Sequence, residues 1–382
     1  MVSDRLEWRE VNLSKSIDFL LENAGCVIQY RLRKEVLKNI TQAEEESLLE
    51  QIYQTPYFKL VESYAKPNGY IGVGMHGGDN WRGVKLKETP LQDGESAARL
   101  LSYYSIPKTH PIVTNFIKAM RSDEILREEF SHIPPEIPRF ENRFRGLNSG
   151  YSLMTLVYTM QAILGHGDDE YVVPYQNLSV EAFKAILPLS SFRDITKTRE
   201  SKAKYNYPYI EEETFFPCQY NLETLAYTNA WRTSENINML ADALNHFNAI
   251  THENNPLHVK IGSKYYVPFP LNMGNCAIKP FHANRIENIT YRRLLTEIAM
   301  LGVGETVDVI RDSAVNICDA IDKDGILQLR FDVPHNKRYS PKNMSYPAPY
   351  NDVQLEVNYK RKYALECDLT FWAVQFLTLV QG

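Results

Sequence analysis

The sequence has few of the features found in secreted, membrane-spanning or nucleic-acid-binding proteins. Its five cysteines are widely spaced and form no CxxC pair, so neither a disulfide framework nor a clustered zinc site is expected. No apolar run reaches the roughly 18 residues of a membrane span, and the first residues lack the apolar core of a signal peptide. The formal net charge of -5 provides no basic surplus for binding phosphates. We therefore expect a cytoplasmic protein with no membrane span and no nucleic-acid partner.

The chain is long enough to bury a large core, in one large domain or two ordinary ones. It contains 24 tyrosines. Because a tyrosine ring combines an apolar body with a polar hydroxyl, this number is compatible with a roomy aromatic-lined cavity and also with ordinary packing and surface positions.

One stretch, residues 151–187, predicts two helices joined by a polar turn. The first helix has no polar stripe, and a helix that is apolar all round is buried all round. Gly165 offers a left-handed stop for it, and Asn177 or Ser179 can cap the second helix. The second helix is apolar on one side only. A buried helix paired with a one-sided helix is the expected unit of a two-layered helical ring.

The same unit recurs along the chain. In an earlier copy, Asp93 can cap the first helix and Pro111 can start the second. A third copy follows Asn221, and a fourth begins at Glu287. The last helix, 364–380, has no partner after it and is expected to pack against the N-terminal helices. Since no such unit can bury its faces alone, the pattern favours a repeat architecture.

The predicted fold is all-α: a double ring of helical hairpins over 64–382, with an N-terminal helical lead-in over 1–63 packed on it. Long connections precede the inner helices, which all point the same way in such a ring, so these connections should gather at one rim around a central cavity. One or two small β-hairpins are predicted on that rim. They are a hairpin around Gly262 and a ribbon that pairs 326–331 with 353–359.

Five segments carry a resemblance to a known superfamily: LLENAGCVIQYRLRKEVL, PNGYIGVG, LGHGDDEYVVPYQNLSVEAF, DKDGILQL and ECDLTFWAVQFL. With them the chain resembles the α/α-toroid superfamily of terpene cyclases and protein prenyltransferases, in particular the bacterial prenyltransferase-like or squalene-cyclase-like proteins of unassigned activity. The resemblance implies the α/α-toroid fold more than a function. The D-x-D-D acid motif of class II cyclases and the Asp-x-Cys zinc ligands of prenyltransferases are both absent. The sequence therefore assigns no cofactor and no metal site.

The glycine-rich segment 66–84 contains a first group of candidates. Its catalytic candidates are His76 and Asp79, and its ligand-binding candidates are Trp81 and Arg82. Glycines allow a ligand to approach the backbone closely, and a histidine with carboxylates can perform acid–base catalysis. The alternative is a plain turn.

Basic side chains near the starts of the inner helices form a second group. Helix N-termini favour anions, so Arg145 and Arg285 are ligand-binding candidates, with Arg292 and Arg293 beside them. The alternative is that these arginines form surface ion pairs with carboxylates such as Glu297. Arginines that face outward would exclude the site.

A third group lies at or near the first turns of the inner helices. Its catalytic candidates are Asp368 and Glu223, and its ligand-binding candidates are Tyr151, Tyr220, His282 and Tyr291. Asp368 is the most unusual, because a carboxylate in an apolar helix needs a partner and is suited to acid chemistry. Its alternative role is a structural bond with Arg361 or Lys362. Asp168 and Asp169, in the short turn at the opposite rim, are predicted to be structural.

The favoured function is an α/α-toroid enzyme that binds a small anionic or isoprenoid-like substrate in a central aromatic-lined cavity. One alternative is a carbohydrate-active toroid, glycosidase-like or lyase-like, with paired carboxylates beside an exposed Trp or Tyr. Another is a non-catalytic binding or scaffold module. The sequence predicts no oligomeric state.

Overall fold

The structure is a computed structural model. It describes residues 13–75, 93–130, 147, 152–199, 208–251, 257–266, 277–284, 288–330, 355–358 and 360–382, with the backbone alone for 288–291. The described residues are mostly helical, with one small four-stranded sheet. Within them, no helix is long and apolar enough to cross a membrane.

The helices, in chain order, are α1 (Ser14–Asn23), α2 (Cys26–Arg31), α3 (Gln42–Tyr53), α4 (Pro56–Tyr64), α5 (Gly94–Tyr103), α6 (Pro111–Met120), α7 (Asp123–Glu129), α8 (Leu153–Gln161), α9 (Val173–Lys184), α10 (Gln219–Ala226), α11 (Ser234–Ile250), α12 (Asn288–Met300), α13 (Asp308–Cys318) and α14 (Ala364–Gln381). The strands are β1 (Lys197–Thr198), β2 (Pro208–Glu211), β3 (His258–Ile261) and β4 (Lys264–Tyr266).

The chain forms two compact units. The first unit combines Met1–Phe116, Pro280–Glu305 and Ile310–Gly382. The second unit combines Ile117–Lys279 and Thr306–Val309.

The second unit contains the hairpin that the sequence predicts at 151–187. Every residue of α8 is buried, as its apolar surface predicts. Gly165 ends the helical segment with a φ of +81°, which confirms the predicted left-handed stop. The predicted caps of the second helix, Asn177 and Ser179, are wrong: Pro174 occupies the first turn of α9, so the helix begins earlier and both residues lie inside it.

Consecutive hairpins of the second unit stack in two layers. The buried helices α8 and α10 pack on each other. The outer helix α9 packs on α10 and on the next outer helix, α11. Each hairpin therefore covers a face that its neighbour cannot bury alone, as expected for a helical repeat.

The first unit joins the two ends of the chain. Helix α14 packs on α12, on α1, on α2 and on the π-helical segment Leu32–Leu37 that continues α2. The predicted packing of the last helix on the N-terminal helices is thus confirmed. The hydroxyl of Ser16 in α1 donates to the carbonyl of Gly325 at 2.6 Å. Asp93 caps α5 as predicted, since its Oδ1 accepts from the N–H of Ser96 at 2.9 Å.

The small sheet is more extensive than the sequence predicts. Strands β3 and β4 form the predicted antiparallel hairpin, with Gly262 at a φ of +58°. Strand β2 adds to β3 in parallel, across the connection that contains α10 and α11, and β1 pairs antiparallel with β2. Within the described parts of 326–331 and 353–359 the predicted ribbon is wrong: Leu327 makes only an isolated bridge, to Ile321.

Candidate functional site at the start of the last helix

Most of the ligand-binding candidates lie beyond the part of the chain that the structure describes. Outside the described residues are His76, Asp79, Trp81, Arg82, Arg145, Tyr151 and Arg285, while Tyr291 belongs to α12 with its side chain outside the description. The remaining candidates are Asp368, Glu223, Tyr220 and His282.

The two flanks of the segment that carries His76 and Asp79 meet at the start of α5. The carbonyls of Gly74 and Met75 accept hydrogen bonds from the backbone N–H groups of Gly94 and Glu95, both at 2.9 Å. In the same turn Glu95 pairs with Arg99 at 2.8 Å, and both side chains are buried. The described ends of the segment are therefore held beside a buried, charged helix start.

Asp368 is a buried carboxylate near the start of α14. It is 3% exposed, and its Oδ1 accepts a hydrogen bond from the N–H of Leu355 at 3.1 Å. Arg361, one of the two ion-pair partners that the sequence offers for Asp368, pairs instead with Glu356 at 3.2 Å. The segment that precedes α14 thus contains both the main-chain donor to Asp368, the Leu355 N–H, and a second carboxylate, Glu356.

Glu356 is a site residue that the sequence interpretation missed, because 353–359 was assigned to a strand. Its side chain is 1% exposed, and its Oε1 accepts from the N–H of Gly25 at 2.5 Å. Burial raises the pKa of the Glu356 carboxyl, although the Gly25 N–H and the Arg361 charge oppose the rise. A buried carboxyl with a raised pKa is suited to hold and release a proton.

Three buried or half-buried side chains with raised pKa values interact electrostatically with one or both of these carboxylates. Burial raises the pKa of Tyr57 to about 12, and the Asp368 charge adds to the rise. Burial, the Tyr57 hydroxyl and Asp368 hold the pKa of Tyr104 well above its usual range. The rings of Tyr57 and Tyr104 meet edge to face, with centroids 6.0 Å apart. Burial, followed by the Glu356 charge, raises the pKa of Cys367 to about 12. Asp368, Glu356, Tyr57, Tyr104 and Cys367 are here called the acid cluster. The two tyrosines and the cysteine are its proton donors at neutral pH, and the other two residues are its carboxylates.

An arginine and an indole ring lie on the α12 side of the same helix. Trp372 follows Asp368 by one helical turn, so the two side chains share a side of α14. The Arg292 guanidinium lies over the Trp372 ring, 5.9 Å from its centroid. The indole N–H donates to Thr296 Oγ1 at 2.9 Å. The facing surfaces of α12 and α14 thus bring together an acid, an aromatic ring and a cation.

The arginines of α12 point inward. Arg292 and Arg293 are 5% and 8% exposed. The pairing of Arg293 with Glu297, which the sequence offers as the alternative to a ligand site, is present at 3.2 Å. It differs from a surface ion pair because Glu297 is fully buried. Buried charges interact more strongly than exposed ones, since solvent screens them less.

The other described candidates lie elsewhere. Tyr220 and Glu223 are buried together on α10 of the second unit. Burial raises the pKa of the Cys218 thiol beside them to about 12, and the Glu223 charge contributes. In the first unit, His282 Nδ1 lies 3.4 Å from Asn316 Nδ2. The structure therefore places Tyr220 and Glu223 together on α10, and Arg292 against Trp372, one helical turn beyond Asp368.

Asp168 and Asp169 stabilise the turn between α8 and α9. Asp168 Oδ1 accepts from the backbone N–H groups of Asn229 and Ala230, at 2.7 and 2.9 Å. Asp169 accepts from Arg121 at 2.7 Å. Both carboxylates thus accept hydrogen bonds within the protein, which agrees with the structural role predicted from the sequence.

No protein-family model, curated protein or solved structure matches this chain.

Proposed function

We propose that the protein is an α/α-toroid enzyme that binds a small anionic or isoprenoid-like substrate near the starts of its inner helices and uses Asp368 as an acid–base group. The observation that carries the proposal is the Arg292 guanidinium over the Trp372 ring, which lies one helical turn beyond the buried Asp368. Each of the three supplies a different kind of contact: a proton-transfer group, a positive charge and an apolar ring.

The packing of helices supports the toroid. Consecutive buried helices pack on each other in α8 with α10 and in α12 with α14. Helix α1 packs on α14 and supplies the outer partner that the last helix lacks in the sequence. Pairing the first helix of a chain with the last is the arrangement that a closed ring of hairpins requires.

The surroundings of Asp368 support acid–base chemistry. Asp368 is a buried carboxylate, and a buried carboxylate needs hydrogen-bonding partners. The Leu355 N–H fixes its position, and the phenols of Tyr57 and Tyr104 remain protonated. A carboxylate with a fixed orientation and neighbouring proton donors has the components of general acid–base catalysis.

Two features support an anionic substrate with an apolar part. Arg292 places a positive charge against the Trp372 ring in the buried interior, where an anion is attracted more strongly than at a surface. Trp372 and the adjoining Phe281 ring, with centroids 5.2 Å apart, supply apolar surface. A molecule with an anionic group attached to a hydrocarbon body would contact both.

The carbohydrate-active alternative is favoured by one separate observation. Asp368 and Glu356 are two buried carboxylates that both interact electrostatically with Tyr104, and Asp368 also interacts with the half-buried Tyr57. Glycoside hydrolases use paired carboxylates for catalysis, and an aromatic platform beside them can bind the sugar. The raised pKa of Glu356 would suit it to the role of general acid.

A thermal-shift screen tests the proposal with isoprenyl diphosphates, inorganic pyrophosphate and oligosaccharides. A ligand at a hundred times its Kd stabilises the folded protein by about 2.7 kcal/mol, so a diphosphate should raise Tm. R292Q should abolish this rise, whereas the exposed control R330Q should keep it. D368N should bind but fail to convert the ligand, and D242N, an exposed control on α11, should convert it normally.

The other outcomes exclude the proposal. Stabilisation by oligosaccharides alone would replace it with the carbohydrate-active function. Stabilisation by none of these ligands would favour a non-catalytic scaffold.

A further inference from the structure

The four-stranded sheet of the second unit has one face rich in cations and tyrosines. Lys197 on β1 pairs in register with Tyr209 on β2, and Lys260 on β3 pairs with Tyr265 on β4. Residues directly opposite each other on paired strands share a face. Arg199 lies two residues beyond Lys197 and so falls on the same side. These five residues are called the basic sheet face.

The two tyrosines of the basic sheet face hold the cations in place. Their rings meet nearly perpendicularly, with centroids 4.9 Å apart. The Arg199 guanidinium lies 4.5 Å over Tyr265, and the Lys260 ammonium lies 5.8 Å over Tyr209. Cation–π contacts of this kind reduce the freedom of long basic side chains before any ligand arrives.

The charge on this face is only partly neutralised. Glu211 pairs with Lys197 at 2.9 Å and lies 3.8 Å from Lys260. Within the described ranges, Arg199 has no carboxylate at ion-pair distance. The face therefore carries a local positive charge, although the chain as a whole has a formal net charge of -5.

We propose that the basic sheet face binds an acidic peptide segment of a partner protein. A guanidinium stacked on a ring keeps its N–H edge available, and that edge matches a carboxylate in a bidentate pair. Alternate side chains of an extended peptide lie on the same side and repeat about every 6.6 Å, so neighbouring carboxylates on that side can reach Lys197 and Arg199, which are two residues apart in the sequence. An extended segment with acidic residues at alternate positions would meet both.

The same geometry disfavours a single-stranded nucleic acid. Such ligands stack their bases on open aromatic faces. Tyr209 is buried and the Tyr265 ring is covered by Arg199.

Fluorescence anisotropy with the full chain and a labelled peptide of alternating glutamate and serine tests this proposal. The wild type should bind the peptide, and added salt should weaken binding because the contacts are solvent-exposed. R199Q should weaken binding about fivefold, the effect of one exposed charge pair. K184Q removes an exposed charge from α9 of the same unit and should bind normally.

Three results would overturn the proposal. They are no binding of the peptide by the wild type, equal binding by R199Q and wild type, and tighter binding of oligothymidylate than of the peptide. A peptide of alternating glutamine and serine should not bind. An unchanged Tm for R199Q would show that the variant is folded.

Discussion

The Glu356 carboxylate accepts a hydrogen bond from the backbone N–H of Gly25, 331 residues away along the chain. Arg361 reinforces this contact, since one end of its guanidinium pairs with Glu356 and the other donates to the carbonyl of Asn23. The segment before α14 is thereby fixed over the junction between α1 and α2. The contact that joins the chain ends also positions the acid cluster.

The first prediction concerns space at Gly25. A Cβ atom there would lie 2.9 Å from Glu356 Oε2 and 3.1 Å from Arg361 Nη1. Its φ of -77° suits any residue, so G25A should destabilise the protein through crowding alone, by about 1 to 3 kcal/mol. Urea unfolding measures this change. If crowding against Glu356 is the cause, G25A should lower the free energy of unfolding less in an E356A background than in the wild type. An equal loss in both backgrounds would contradict the crowding explanation.

The second prediction concerns the pH dependence contributed by Glu356. Because burial raises its folded-state pKa above the ordinary value of 4.5, the folded protein holds this proton more tightly than the unfolded chain. Folding stability from this group therefore falls as pH rises from about 4.5 through the raised pKa. E356Q cannot ionise, so its stability relative to wild type should improve over that window. A stability difference that does not change with pH would show that the Glu356 pKa is not raised.

A third prediction concerns the carboxylate of Glu35 in the first unit. It accepts two hydrogen bonds from Arg31, each 2.8 Å long, one from Ser105 at 2.6 Å and one from Gln375 at 2.8 Å. Burial acts to raise its pKa, but the Arg31 charge and these donors together lower it. E35Q should destabilise the protein at neutral pH by about 2 to 3 kcal/mol, as expected for charged hydrogen bonds.

The sign of the pH effect is opposite to that at Glu356. Because the folded pKa of Glu35 is lowered, its contribution is present above the ordinary value of 4.5 and is lost as pH falls through the folded pKa. The difference between wild type and E35Q should therefore shrink in acid. The matched control E50Q, an exposed carboxylate on α3, should unfold like wild type. Equal destabilisation by E35Q and E50Q would argue against the network.

The fourth prediction separates structure from chemistry at the turn after α8. Asp168 accepts hydrogen bonds from Asn229, Ala230 and Gln176. D168N should lower the free energy of unfolding by about 1 kcal/mol, a small value because solvent reaches the carboxylate. Ligand binding in the thermal-shift assay should persist. Loss of ligand binding in a fully folded D168N protein would move the site to this turn.

The local features of the fold could be predicted because they depend on neighbours in sequence. The apolar surface of α8 required burial on every side, and Gly165 could adopt the left-handed stop without a Cβ clash. Gly262 likewise marked the β3–β4 hairpin. At the start of α9 two local signals competed, because Pro174 favours the first helical turn and Asn177 favours the N-cap. Neither residue alone could decide where the helix begins.

Of the candidate site, the sequence identified single residues but not their partners. Asp368 was unusual because it interrupts an apolar helix, and Arg292 lay near an inner-helix start. Glu356 had no such local signature, since its partner Gly25 is distant in sequence.

The amino-acid sequence by itself determined the helical hairpin at 151–187, the Gly165 stop, the Asp93 cap and the unusual position of Asp368, because periodicity and backbone freedom act over a few residues. Only the tertiary structure decided that Arg292 turns inward onto Trp372, that β2 pairs in parallel with β3, and that Glu356 binds Gly25. Those contacts join segments that are far apart along the chain. They form only when several buried faces pack at once, and local patterns do not specify which surfaces meet.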